Sequence, residues 1–164
     1  MTKFLEMCEA YKSSRRKYFD YQQRCIGYLS KLGLGFVEYC SVPEDQYKFL
    51  PLNEDVKPNM KYTIFGATHL DKDTFWHLGL LLTLYEAPNV HPQQSILIRI
   101  CVKELNGKVF VKIGSEGKTI EIELANGQQC AAFFDDIITQ INDSFQNELQ
   151  SFLERSSPLK RIGF

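Results

Sequence analysis

"SILIRICVKELNGKVFVKIG" (residues 95–114) is the stretch of sequence that decides the fold class. Along residues 95–105, four β-branched side chains at every second position share one side, and a mixed set occupies the other. This is the period of a strand with two different faces. Asn106-Gly107 follows, a dipeptide typical of a two-residue β-hairpin turn, and residues 108–114 return from it. The stretch therefore predicts a pair of antiparallel strands.

Further strands are predicted on both sides of this hairpin. Downstream, Ser115-Glu116-Gly117 turns the chain into another alternating segment. Upstream, short segments rich in aromatic and β-branched residues have strand composition, and Pro51 restricts one of them to a sheet edge. Together these segments predict an antiparallel meander of about six strands within 35–124, drawn from residues 36–42, 47–52, 60–70, 74–86, 95–105, 108–114 and 118–124.

Residues 74–86 are the ambiguous part of this meander. A helix there would begin after Asp73 and end before Pro88, but it would be apolar on every side and would contain Gly79. A glycine inside a helix costs ~1 kcal/mol relative to alanine. A strand instead gives one strongly apolar face, beginning with Trp76, and one mixed face. The pattern favours a strand.

Both ends of the chain have a helical period. Apolar residues recur at steps of three and four through residues 1–33, and Gly33 and Gly35 predict the end of that helix. The same period returns over 128–155, before Pro158 and a short basic tail at 156–164. The order predicts a single α+β domain over 1–164, in which both helices pack on one face of the sheet.

Two of the three histidines flank a pair of aspartates in "HLDKDTFWH" (69–77). Asp71 and Asp73 are typical turn residues, because their carboxylates accept hydrogen bonds from nearby backbone N–H groups. A loop of three residues, 71–73, puts His69 and His77 on one face of the sheet as diagonal neighbours, and a loop of two or four residues separates them. Two histidines with turn aspartates fall short of a metal-binding motif, so we expect a turn without a metal.

Composition narrows the function classes. A formal net charge of -1 from 19 basic and 20 acidic residues provides no general field for nucleic acid or an anionic membrane. Five cysteines lack paired spacing, no export signal is visible, and no apolar run is long enough for a bilayer span. We therefore expect a cytoplasmic protein with free thiols and no membrane partner. No P-loop, dinucleotide fingerprint or nucleophile motif is present, so no cofactor is expected.

The N-terminal helix has two features of a possible binding surface. The segment 13–24, "SSRRKYFDYQQR", is densely basic and could bind nucleic acid, although the balanced net charge favours a solvated helix face. The helix is also rich in tyrosine, a residue enriched where proteins meet. The tyrosines predicted to form a partner surface are Tyr11, Tyr18, Tyr21 and Tyr28.

Three hypotheses for function follow. The first is a non-catalytic binding protein, of an adaptor, immunity or chaperone-like kind, that forms a homodimer because apolar residues such as Phe75 and Leu81 need cover on the second sheet face. The second is a small-ligand-binding protein or an enzyme with its site on a concave sheet face. The third is nucleic-acid binding through 13–24. The residues predicted to line the ligand site are His69, Phe75, His77, Tyr85 and Arg99.

Overall fold

The computed structural model describes residues 1–146, 148, 149, 153 and 160–164. A long helix precedes a sheet, a second long helix follows it, and a final short strand returns to the sheet. The helices are α1 (Lys3–Tyr39), α2 (Ile64–Ala67) and α3 (Gly127–Gln146); the strands are β1 (Tyr47–Leu50), β2 (His69–Leu70), β3 (Trp76–Leu84), β4 (Gln94–Leu105), β5 (Lys108–Ile113), β6 (Ile120–Ile122) and β7 (Lys160–Ile162).

The strands form one sheet in the order β1-β3-β4-β5-β6, with antiparallel neighbours. β2 adds to β3, and β7 pairs with β4 in parallel. The predicted hairpin is present, because Leu105 pairs with Lys108 across Asn106-Gly107. The predicted α+β fold, with an antiparallel sheet between two long helices, is confirmed.

Segment 74–86 forms strand β3, as predicted. Its even-numbered residues Trp76, Leu78, Leu80 and Leu82 are buried in the core. Odd-numbered residues point to the opposite side, here called the outer face, where His77 is fully buried. Alternation therefore divides a nearly continuous apolar run between two environments.

Both long helices pack on the side of the sheet opposite the outer face, here called the inner face. Their buried side chains interleave with aliphatic residues of β3 and β4, and burying each such side chain contributes roughly 1.5–3 kcal/mol. This confirms the predicted one-sided packing. The fully buried residues at the centre include Leu29 and Leu32 of α1, Ile137 of α3, and Leu78, Ile98 and Ile100 of the sheet.

The predicted end of α1 at Gly33 and the predicted strand at 36–42 are both wrong. α1 continues to Tyr39, and its last turns bury Phe36. The two glycines permit close packing: a Cβ at Gly33 would lie 2.9 Å from the Phe49 ring, and one at Gly35 3.1 Å from the Phe134 ring. Glycine here marks close approach to neighbouring elements, a role that a local pattern cannot distinguish from a helix stop.

The predicted strand at 60–70 is largely replaced by a turn of helix. Thr63 caps α2, since its hydroxyl accepts a hydrogen bond from the backbone N–H of Gly66 at 3.1 Å. Only His69 and Leu70 pair as a strand. The local cap signal thus outweighs the strand composition of this segment.

The tail holds a strand that the sequence did not predict. β7 pairs with Ile96–Ile98 of β4, where the pairing of β5 with β4 has ended. Gly114 and Gly163 meet there, and both have a positive φ. A Cβ at either position would collide with the backbone of the other, so neither has room for a side chain. The predicted helix over 128–155 corresponds to α3 up to residue 146. Of its remaining residues, the structure describes only 148, 149 and 153.

Candidate functional site

The β2–β3 connection is a turn made by its two aspartates, as predicted. Asp73 Oδ1 accepts a hydrogen bond from the backbone N–H of Phe75 at 3.0 Å, and Asp71 Oδ1 accepts one from Lys72 at 2.7 Å. The backbone closes between Asp71 and Phe75 at 3.0 Å, with Thr74 at a φ of 71. Asp71 and Asp73 therefore hold the backbone of this turn.

The two histidines lie side by side on the outer face. The connection from Asp71 to Phe75 has an odd number of residues, so His69 pairs directly with His77. Their ring centroids are 5.3 Å apart. Burial, followed by the nearby His77, lowers the pKa of His69. The histidines share a face, as the three-residue loop predicted, but the observed loop has five residues and makes them direct partners instead of diagonal neighbours.

His77 has a defined proton position. Arg99 Nη1 lies 2.7 Å from His77 Nδ1. A guanidinium can only donate, so Nδ1 must accept and the ring proton must be on Nε2. His77 Nε2 lies 3.0 Å from both carboxylate oxygens of Asp73 and donates to them. His77 is thus a neutral imidazole that connects Arg99 to Asp73.

Lys112 completes this buried cluster. Its Nζ lies 2.7 Å from Asp73 Oδ2 and 2.8 Å from the carbonyl oxygen of Ser115, and it stands 4.2 Å from the Phe75 ring centroid. Burial alone would raise the pKa of Asp73, but the hydrogen bonds from Lys112 and His77 outweigh it and lower that pKa to about 2. Asp73 is therefore ionised and paired.

His69, Asp71 and His77 form the one group of potential metal ligands found among the described residues, with ligand atoms within 4.8 Å of one another. A metal on His77 Nε2 would move the ring proton to Nδ1, where it would face the N–H of Arg99. Two donors would then oppose each other, and Arg99 adds positive charge close to the ion. The residues as arranged do not fit a metal ion, and the expected absence of a metal stays a prediction.

Cys101 forms an unexpected alignment with His77 and Asp73. Its Sγ lies 3.4 Å from His77 Nδ1, in the order of a thiol, a base and an orienting carboxylate. Arg99 already occupies that nitrogen, however, and Cys101 is fully buried. Burial raises the pKa of Cys101 to about 12, so the thiolate needed for nucleophilic attack does not form.

The structure brings most of the predicted ligand-site residues together. His69, His77 and Arg99 are in one cluster, and Phe75 joins it through Lys112. Tyr85 does not belong, because it follows β3 at the end away from His77 and lines a separate cavity of about 330 Å³. The prediction missed Cys101 and Lys112. Cys101 joins only through its pairing opposite His77, a register that no local pattern encodes.

The exposed half of α1 is the second candidate site. Every residue from Met1 to Asp20 is exposed, and residues 3–20 are here called the arm. Residues at alternating steps of three and four along α1 form one stripe on the helix surface, here called the seam. Along the arm it is highly exposed, at 67% for Phe4, 62% for Met7 and 68% for Tyr11. The seam comprises Phe4, Met7, Tyr11, Ser14, Tyr18, Tyr21, Cys25, Tyr28 and Leu32.

The four predicted partner-surface tyrosines divide into two pairs. Tyr11 and Tyr18 are exposed on the arm. Tyr21 and Tyr28 are instead bonded to the sheet: Tyr21 Oη donates to the carbonyl of Glu104 at 3.2 Å, and Tyr28 Oη donates to the Glu104 carboxylate. That carboxylate raises the pKa of Tyr28 to about 12. The seam is therefore exposed up to Tyr18 and covered by the chain's own sheet from Tyr21 onward.

Basic segment 13–24 crosses the same boundary. Arg15, Arg16 and Lys17 are exposed on the arm, whereas Arg24 Nε donates to the Glu104 carboxylate at 3.0 Å.

Among the described residues, no helix combines the length and the apolar character that crossing a bilayer requires.

Comparison with protein-family models, with curated proteins and with solved structures finds no match to this chain. Function must therefore be inferred from the side chains themselves.

Proposed function

We propose that this chain is a protein-interaction module that works as a homodimer joined through the arm. One observation carries the proposal: a single continuous helix buries its C-terminal half in the core and exposes apolar side chains along its N-terminal half. Adaptor, immunity and chaperone-like roles all belong to this class, and each requires an exposed binding element on a stable body.

The arm is a poor structure in isolation. It has about 18 residues, only slightly more than the ~12–15 below which isolated helices are marginal in water, and most helical stability in proteins comes from packing of an apolar face. Its exposed apolar side chains also lie next to one another along the seam, and contiguous exposed apolar patches usually mark interaction sites. A second helix against Phe4, Met7 and Tyr11 would supply the missing packing. The need for cover thus lies on the arm, whereas Phe75, which motivated the homodimer from sequence, is already buried.

The buried cluster supports a non-catalytic role. His77 has both ring nitrogens engaged, by Arg99 and by Asp73, and the Cys101 thiol is buried beside it. A general base needs a free nitrogen near a reactive group, and this arrangement leaves none on His77. The cluster instead ties the β2–β3 turn to β4 and β5.

Light scattering on the purified protein tests the proposal. We expect a dimer at micromolar concentration, and a monomer for the variant with Phe4→Glu and Tyr11→Glu. The matched control carries Met60→Glu and Val90→Glu, two exposed apolar residues outside the arm, so it adds the same two negative charges; it should remain a dimer. A wild-type protein that stays monomeric at high micromolar concentration would refute the proposal.

A small anionic ligand at Arg99 is the second candidate, and one observation favours it. Within the described part of the chain, Arg99 Nε and His69 Nδ1 are buried without a hydrogen-bond partner. The guanidinium N–H of Arg99 is a donor, and a buried donor without a partner costs free energy that a bound anion would recover. Thermal unfolding with millimolar phosphate or acetate tests this candidate: a rise in Tm that is absent in Arg99→Met supports it, and an equal response of both proteins rejects it.

A further inference from the structure

We infer that the two arms of the dimer pair antiparallel, so that the two sheet domains lie at opposite ends of a joint helical rod. This inference rests on the proposed homodimer and specifies its geometry. Three features of the structure carry it: the point where the seam becomes occupied, the capped start of the helix, and the distribution of charge along the arm.

The chain's own sheet blocks the seam after Tyr18, which is itself still 43% exposed. The Tyr18 and Tyr21 rings lie 6.5 and 6.4 Å from the Trp76 ring, and Cys25 is fully buried behind them. A second helix on the seam can therefore follow it only as far as this point. A parallel partner would continue through residues 21–39 of its own α1 into the space that the first sheet occupies.

An antiparallel partner ends where the sheet begins. The midpoint of residues 3–20 falls between Tyr11 and Lys12, so antiparallel pairing about that point places Lys3 of one chain alongside Asp20 of the other. The helix begins at Lys3, where the Thr2 hydroxyl accepts a hydrogen bond from Leu5 N–H at 3.2 Å and caps it. Each helix thus begins just outside the other chain's sheet, and the free seam is covered along its whole length.

The charges of the arm favour the same direction. Residues 12–17 carry Lys12, Arg15, Arg16 and Lys17 and no acid, whereas residues 6–11 carry Glu6 and Glu9 and no basic residue. Paired helix axes are about 8–10 Å apart. This is close to the screening length of about 8 Å at physiological salt. Parallel arms would place the two basic blocks together, and antiparallel arms place each basic block beside the acidic one.

Distances between spin labels test the direction of pairing. Single cysteines replace Glu6, Lys12 and Asp20 in turn, all on the polar side of the arm. The background carries serine at Cys8, Cys40 and Cys130, and it retains the buried Cys25 and Cys101. Antiparallel arms predict axial separations between the two labels of ~2 Å at position 12, ~17 Å at position 6 and ~26 Å at position 20, at 1.5 Å per residue. Parallel arms predict one short distance at all three positions.

The outcomes separate this inference from the proposal beneath it. A short distance at position 12 that lengthens toward both ends supports antiparallel pairing. Equal short distances at the three positions in a protein that light scattering shows to be a dimer refute antiparallel pairing and leave the homodimer standing. Absence of dipolar coupling in a monomeric wild-type protein refutes both.

Discussion

Arg99 Nη1 lies 2.7 Å from His77 Nδ1, and this contact places the ring proton of His77 on Nε2. The same contact determines what the neighbouring residues can bind. His69, Asp71 and His77 have metal-ligand chemistry and lie close together, but the nitrogen that would bind the ion carries the proton. A residue outside the potential ligand set therefore decides whether the set is usable.

Replacing Arg99 should convert this cluster into a metal site. In Arg99→Met, His77 can move its proton to Nδ1 and offer Nε2 to an ion. We expect Zn²⁺ affinity to rise by about 10–100-fold over wild type, the range that residues supporting a metal ligand usually control. Isothermal titration measures this, and adding His77→Gln to the variant should abolish the gain. Stoichiometric zinc in the wild-type protein, purified without chelator, would contradict the prediction.

The two turn aspartates should differ in their effect on stability. Asp71→Ala removes a local backbone hydrogen bond, at a cost of ~0.5–1.5 kcal/mol. Asp73→Ala also leaves the buried Lys112 ammonium without its carboxylate partner. Losing one partner of a fully buried pair costs ~3–5 kcal/mol, and we expect about 2–3 kcal/mol because Asp73 is partly exposed. Urea denaturation of both variants gives the comparison, and equal losses would show that the Lys112 contact contributes nothing.

The fold was predictable where its signals are local. Asn106-Gly107 and the alternation on both sides of it predict β4 and β5 without any knowledge of the rest of the chain. Gly33 shows the limit, because its value is close contact with Phe49, a residue distant in sequence. β7 was missed for the same reason, since its parallel pairing with β4 has no local turn to indicate it.

The candidate site was predictable only in part. The length of the loop allowed His69 and His77 to share a face, but the contacts of His77 with Cys101 and of Asp73 with Lys112 depend on the registers of β3 with β4 and of β4 with β5. The burial of His77 between Arg99 and Asp73 depends on the same pairings.

His69 should make the protein less stable in mild acid. Its pKa is lowered in the folded state from the ordinary 6.5, so below about pH 6.5 the unfolded chain binds more protons than the folded one. Stability is therefore fully present above that pH and falls as the pH drops toward the lowered pKa. Unfolding free energies at pH 7.5, 6.5 and 5.5 measure this slope. His69→Gln should reduce it, and an unchanged slope would assign the effect to other groups.

Trp76 should be the most sensitive single position in the sheet. It is the only tryptophan, is 2% exposed, and packs against Tyr18 and Tyr21 where α1 crosses the sheet. Trp76→Ala leaves a cavity between the helix and β3, and we expect a loss of ~3–5 kcal/mol in unfolding free energy. Trp76→Phe keeps an aromatic ring in the same place and should cost much less. If the alanine and phenylalanine variants unfold at the same urea concentration, the ring does not join α1 to the sheet. The junction that positions the arm would then depend on the Glu104 contacts of Tyr21 and Tyr28 instead.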